Sequence, residues 1–144
     1  MTAEPIVTYR GTVYPWHCDQ MGHMNVMWYV GKFDEATWQL LGSIGLSQRR
    51  MRDDGIGMAV VEQHIEYKRE LFAGDLLTIR SSIQEVREKA ILFLHEMTNQ
   101  QTRELAARTL LTGVCIDTAT RKARPLPTDV RDRVMNIAPI EIGE

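Results

Sequence analysis

Apolar positions change their spacing as the chain proceeds. Ile6 to Tyr14 is a short run rich in Val, Thr and Tyr that stops at Pro15, the pattern of a first strand. Trp16 to Asn25 is polar and contains glycine, and the period then changes. Val26, Val30, Phe33, Thr37, Leu40 and Leu41 recur three and four apart, an apolar stripe on a helix. Asn25 suits its N-cap and Gly42 and Gly45 its stop, so a helix of about 16 residues is expected over Val26–Leu41. Ser47 to Gly57 has charge, glycine and no period, and reads as a loop. Met58–Leu71, Asp75–Arg87, Ala90–Asn99 and Glu104–Asp117 each read as a strand. Their separators, Phe72–Gly74, Glu88-Lys89 and Gln100–Arg103, are short enough for antiparallel hairpins. In the first of these strands Val61, Ile65 and Tyr67 alternate with Glu62, His64, Glu66 and Lys68, giving one wet or site-facing side. The tail, Arg121 to Glu144, carries three prolines and alternating charge, with one short helix expected around Asp129–Met135.

One strand, one long helix and four more strands predict an α+β domain, a curled five-stranded antiparallel sheet over a single helix. No repeat, linker or low-complexity tract divides the chain. One domain is expected over 1–144, with its core at about 6–120 and a tail at 121–144. One helix cannot cover so long a sheet, and its strand edges need pairing, so at least a homodimer is expected.

Composition narrows the partners. Of 144 residues, 44% are hydrophobic and 25% charged, which is ordinary globular usage, and the net charge of −2 offers no general attraction to nucleic acid. Cys18 and Cys115 form neither a disulfide framework nor a CxxC pair. The N-terminus lacks a secretory pattern, and no stretch approaches the roughly 20 apolar residues of a membrane span. A cytoplasmic protein without membrane or nucleic-acid partners is expected.

Candidate chemistry is concentrated before the long helix, in Asp19, Gly22, His23, Asn25 and Tyr29. The free amides of a helix N-terminus suit a developing oxyanion. Gly22 permits close backbone approach or a positive φ. Asp19 can attack a carbonyl or activate a water, while His23 or Asn25 orients the ligand. Each also has a structural reading: Asp19 as a turn residue, Asn25 as a cap, His23 as a hydrogen-bonded turn residue. His17, Cys18, Asp19 and His23 match no zinc spacing, so no metal is expected.

The run Asp19-Gln20-Met21-Gly22-His23-Met24-Asn25, then Tyr29 and Asp34-Glu35-Ala36, resembles the hotdog-fold acyl-CoA thioesterases of the 4-hydroxybenzoyl-CoA thioesterase type. Leu71-Phe72-Ala73-Gly74-Asp75 is similar to that family's Gly-Asp turn. Ile116-Asp117 with Arg121–Pro127 is similar to its last strand and tail, so the resemblance spans about residues 8 to 133. It implies a hotdog fold in a homodimer or homotetramer, and cofactor-independent hydrolysis of an acyl-CoA. It also implies Asp19 as nucleophile or general base, with amides near Met24 to Met27 on the carbonyl. Many members with this Asp have an apolar residue at the His23 position, so His23 and Asn25 rank behind Asp19. Glu35, about 15 Å along the helix, reads as a helix-face charge.

Gly22, Met24, Val26, Trp28, Tyr29 and His64 are the expected pocket residues. Trp16, Trp28 and Trp38 with Met21, Met24 and Met27 fill a core or shape an acyl pocket for an aryl, aliphatic or betaine-like group. Arg69, Arg87, Lys89 and Arg124, with Arg121 and Lys122, are candidates for the CoA phosphates. The rival readings are an acyl-carrier-protein thioesterase and a catalytically idle acyl-CoA-binding module.

Overall fold

Residues 5–135 are described by a computed structural model. The remainder of the expected 1–144 domain, including the tail beyond Met135, lies outside the described residues. Strand β1 (Ile6–Thr12) gives way to a single 3-10 turn at Pro15–His17. Helix α1 (Val26–Ser43) begins where Asn25 Oδ1 accepts from the Met27 amide at 2.9 Å, a side-chain cap on an otherwise free donor. Gly45, at φ 93°, turns the chain away after its end.

The expected loop at Ser47–Gly57 instead contains helix α2 (Gln48–Asp54). Ser47 Oγ caps it by accepting from Arg50 N at 3.2 Å, and Gly55 closes it in the left-handed region at φ 67°. Met51 is its only buried side chain, so no apolar period betrays the helix in the sequence. Strands β2 (Ile56–Tyr67), β3 (Leu76–Val86), β4 (Ala90–Asn99) and β5 (Leu105–Asp117) follow, then helix α3 (Thr128–Val134). All strand pairs are antiparallel, in the order β1-β3-β4-β5-β2. The hairpin expected at Phe72–Gly74 is therefore absent. Instead, β2 pairs with β5, and residues 68–75 cross the end of the sheet to reach β3. Leu71 anchors that crossover in the core.

Strand β2 is an edge, and a bulge at Val61 shifts its register between Val60 and Glu62. Val60 pairs with Gly113 before the bulge, and Gln63, Ile65 and Tyr67 pair with Leu111, Thr109 and Ala107 after it. The expected alternation thus holds from Ile65 onward, while Val61 stands at the bulge.

Helix α1 lies along the concave face of the sheet, burying Tyr29, Lys32, Phe33, Ala36, Thr37, Leu40 and Leu41. Val26 and Val30, expected on that stripe, are exposed, because the helix is rolled so that its 26–30–34–38 flank looks toward the β2 side. Two apolar clusters result. One joins Val13, Met24, Tyr29, Phe33, Leu71 and Leu77, and the other gathers Leu40, Ile44, Phe93, Leu111, Cys115 and Val130.

A buried polar chain lies beneath the middle of α1. Thr37 Oγ1 donates to Phe33 O at 3.0 Å and so accepts from His95 Nε2 at 2.8 Å. The ring's Nδ1 is then the acceptor from Ser81 Oγ, and Ser81 Oγ lies 2.7 Å from Thr8 Oγ1. Because Thr37 gives its proton to Phe33 O, the ring carries its own on Nε2, which fixes the histidine tautomer. His95 stacks on Phe33 and meets Phe93 edge-on, and burial holds its pKa down at about 3.

Candidate active site

Residues 18–25 form a small loop clamped between β1 and α1 by backbone hydrogen bonds. Asp19 N donates to His23 O at 3.1 Å and Gly22 N to Asp19 O at 3.0 Å, closing a tight turn. Gly22 sits at φ 88°, a conformation that side chains resist. Met24 N donates to Leu71 O at 2.7 Å, tying the loop to the crossover, and Asn25 N to His17 O at 2.9 Å.

This clamp presents the Asp19 carboxylate with both oxygens engaged. Oδ2 accepts from Asn25 Nδ2 at 2.8 Å, and Oδ1 accepts from the Met21 amide at 2.9 Å. Asn25 cannot turn its amide over, because its Oδ1 is committed to Met27 N. The Asn25 hydrogen bond, then that of Met21, holds the Asp19 carboxyl below the usual carboxylate range, so it is charged at neutral pH. Asn25 is thus the cap expected from the sequence, and it also holds the Asp19 carboxylate, a contact the sequence did not reveal.

Amides expected to polarise a carbonyl lay between Met24 and Met27. Three of the four already have acceptors: Leu71 O, His17 O and Asn25 Oδ1. The Val26 N–H alone is without a partner among the described residues, and it is the first amide of α1.

His23 Nδ1 donates to Met24 O at 3.3 Å, and Nε2 lies 3.7 Å from Glu70 Oε1. His23, Met24, Val26 and Tyr29 line one wall of a cleft of about 210 Å³, and Tyr67, Lys68, Arg69 and Glu70 the other. Tyr29 is buried, its hydroxyl donating to Arg69 O at 3.2 Å, its ring edge-on to Tyr67, and burial pushes its pKa up to about 12. Trp28 is half-buried with its ring 4.5 Å from His17, behind the loop. His17 itself is buried and accepts from Tyr14 N.

The expected residues are not all together. His64 pairs with Leu110 on the side of β2 that carries Glu62 and Glu66, facing away from α1. Arg69 borders the cleft and pairs with Glu104 at 3.2 Å. Arg87, Lys89 and Arg124 cluster at the other end of the sheet, where Cys115 N donates to Lys89 O and Arg124 N to Cys115 O. Sequence reasoning passed over Glu70, which lacked a motif, and a second cavity of about 220 Å³ between α1 and the β2–β5 pair. Asp34, Trp38, Met58, Val60, Phe93 and Gly113 are among its lining residues. A side chain at Gly113 would come within 3.3 Å of Phe93 and 3.4 Å of Met58, so the glycine keeps this space open. Among the described residues no group of three or more His, Cys, Asp or Glu is placed to hold a metal ion. No described helix is long and apolar enough to cross a membrane.

Residues 13–134 match the thioesterase-like superfamily. The chain is 32% identical over 119 residues to the long-chain acyl-CoA thioesterase FadM of Escherichia coli, covering 83% of this chain and 89% of that one. A Staphylococcus aureus protein, SAV2348, solved in complex with CoA, superposes with a TM-score of 0.89 at 21% identity, over 100% of this chain and 94% of the other. The 1,4-dihydroxy-2-naphthoyl-CoA thioesterase Slr0204 of Synechocystis superposes at 0.80 with 24% identity, over 90% and 96%.

Proposed function

The chain belongs to the thioesterase-like superfamily with a hotdog fold, and from that premise we propose that it hydrolyses acyl-CoA thioesters to a carboxylate and free CoA, with Asp19 as the reacting carboxylate. The observation that carries this reading is the Asp19–Asn25 hydrogen bond of 2.8 Å at the start of α1. It leaves a charged, oriented carboxylate beside the unpartnered Val26 amide. The carboxylate forms a C–O bond with the thioester carbon directly, or takes a proton from the water that does so. In either route the C–S bond breaks, and the CoA thiolate leaves and is protonated; in the first, water then cleaves the anhydride formed on Asp19, releasing the carboxylate and regenerating the side chain. Charge developing on the carbonyl oxygen meets the Val26 N–H and the positive end of the helix. His23 and Glu70 stand at the cleft where the thioester enters, with Met24, Val26 and Tyr29 shaping its approach. The apolar cavity at Trp38 and Gly113 suits the far end of an acyl group.

Two copies join through β2, whose exposed Val60 and Val61 lie on an unpaired edge beside the uncovered flank of α1. A homodimer is the basic unit, and a homotetramer is two of these.

The test is release of free thiol from CoA esters of short aliphatic, long aliphatic, aromatic and betaine-like acids, with wild type beside Asp19→Asn. Turnover on one class, reduced at least 100-fold in a variant that keeps its melting temperature, is the expected outcome. Acyl-CoA binding without turnover on any class would make the protein a binding module instead.

A further inference from the structure

His17, which the chemistry proposed above does not use, is built into the entrance of the Asp19 loop. Its side chain is buried, and Nδ1 accepts from the Tyr14 amide at 2.9 Å. A ring nitrogen that accepts carries no proton, so the neutral imidazole holds its hydrogen on Nε2. Burial, then the Lys32 ammonium, holds the pKa below the usual histidine value, against a weaker upward pull from Glu35, and both charged groups are on α1. The ring is therefore neutral at pH 7. It is also wedged among aromatic groups. Its centroid lies 4.5 Å from that of Trp28, in the first turn of α1, and 5.8 Å from those of Tyr14 and Trp16, which stack on each other at 4.4 Å. The imidazole thus joins the 3-10 turn to the start of α1.

What this turn holds is the Asp19–Asn25 pair. The backbone carbonyl of His17 accepts from Asn25 N at 2.9 Å, and Cys18, next along, gives its amide to Pro15 O at 3.1 Å. Residue 17 therefore sets both ends of the loop, with Asp19 just downstream on one side and Asn25 across from it on the other. The 2.8 Å bond from Asn25 Nδ2 to Asp19 Oδ2 needs those ends in register, because a hydrogen bond weakens steeply when its partners move out of line. The Tyr14 bond is the one polar contact of the His17 side chain among the described residues, so the set of the turn rests on a single acceptor atom. We propose that His17 is a positioning residue for the Asp19 carboxylate: its Nδ1 acceptor locks the 3-10 turn, and the turn keeps Asn25 in register with Asp19. Its effect on turnover rests on the thioesterase reading; its effect on the Asp19 carboxyl does not.

Two substitutions separate the acceptor from the ring. His17→Asn keeps an acceptor, with Oδ1 as many bonds from the backbone as Nδ1, but leaves space beside Trp28. His17→Phe keeps the packing and has no acceptor. Stability should follow the packing, so His17→Phe should melt above His17→Asn. Rate should follow the acceptor. In His17→Phe kcat for acyl-CoA should fall about ten-fold, the cost of one misaligned hydrogen bond, while His17→Asn keeps most of the wild-type rate and KM moves in neither. NMR titration of the labelled Asp19 carboxyl should show its pKa raised in His17→Phe, where the Asn25 donor that lowers it is out of line, and near the wild-type value in His17→Asn. Rates and Asp19 titrations that follow Tm, with His17→Asn the more disturbed, would make His17 a packing residue and overturn the proposal. An Asp19 pKa equal in all three proteins would overturn it too. A wild-type protein that cleaves no acyl-CoA would count against the thioesterase reading alone, and the Asp19 titration would still decide for or against His17.

Discussion

At the residue scale, Asn25 connects the helix to the carboxylate proposed to react, donating to Asp19 and accepting from Met27 with one amide. Hydrogen bonds to a carboxylate favour its charged form and lower its pKa, so the active ionisation state persists as pH falls until that lowered value is reached. In Asn25→Ala the first of these donors is gone and the Asp19 pKa rises. The acidic limb of kcat/KM against pH should therefore move upward, while the plateau falls through loss of orientation. An acidic limb unchanged in Asn25→Ala would separate Asn25 from the reacting carboxylate. The geometry of the candidate loop was legible in the sequence, because Asp19, Gly22 and Asn25 are close along the chain and suit a turn, a positive φ and a helix cap. Glu70 was not, because its place at the cleft comes from the crossover, which brings distant segments together without a local pattern.

At the scale of elements, α1 is pinned to the sheet by one polar chain through Thr37, His95, Ser81 and Thr8. The folded state keeps His95 neutral with a pKa of about 3, whereas the unfolded chain takes up the proton near 6.5. The unfolded state thus binds more protons between these values, so stability is fully present above about pH 6.5 and is lost as pH falls toward 3. The slope from this one group is about 1.4 kcal/mol per pH unit. Urea denaturation at pH 7, 6 and 5 should show wild-type stability falling, by the smaller step between pH 7 and 6 and with a slope approaching that value between pH 6 and 5. His95→Leu should be less stable at pH 7 but flatter with pH, and an equal slope in the variant would assign the effect to other groups. Long strands and the long helix were legible because their periods are sustained. Helix α2 was not, since its length of two turns buries only Met51. It is held instead by Arg50, whose guanidinium grips Asp129 of α3 at 2.6 and 2.8 Å.

For the whole molecule, the decisive feature is the open edge at β2. Val61 is 65% exposed at the bulge and Val60 47%, beside exposed Val26, Val30 and Trp38 of α1. Such a surface is normally covered. Val61→Lys, placing a charge on that edge, should yield monomers at micromolar concentration by light scattering, with the fold kept by circular dichroism. A variant that stays dimeric would move the interface off β2. Strand length alone raises the expectation of pairing; which strand stands at the edge was not legible, because the short Phe72–Gly74 separator imitates a hairpin.

The crossover also sets an order of events as the chain folds. β3, β4 and β5 are joined by short turns and can zip together locally, whereas Ile56 must find Asp117 and Ile6 must find Ser81 across long intervening loops. Loop closure makes those distant pairings the slow ones. The Asp19 loop takes its shape from Leu71, in the segment between β2 and β3, so the three-stranded nucleus forms without a working centre. Competence to react is acquired last on the way in and surrendered first on the way out, so loss of turnover is an early sign of an opening molecule.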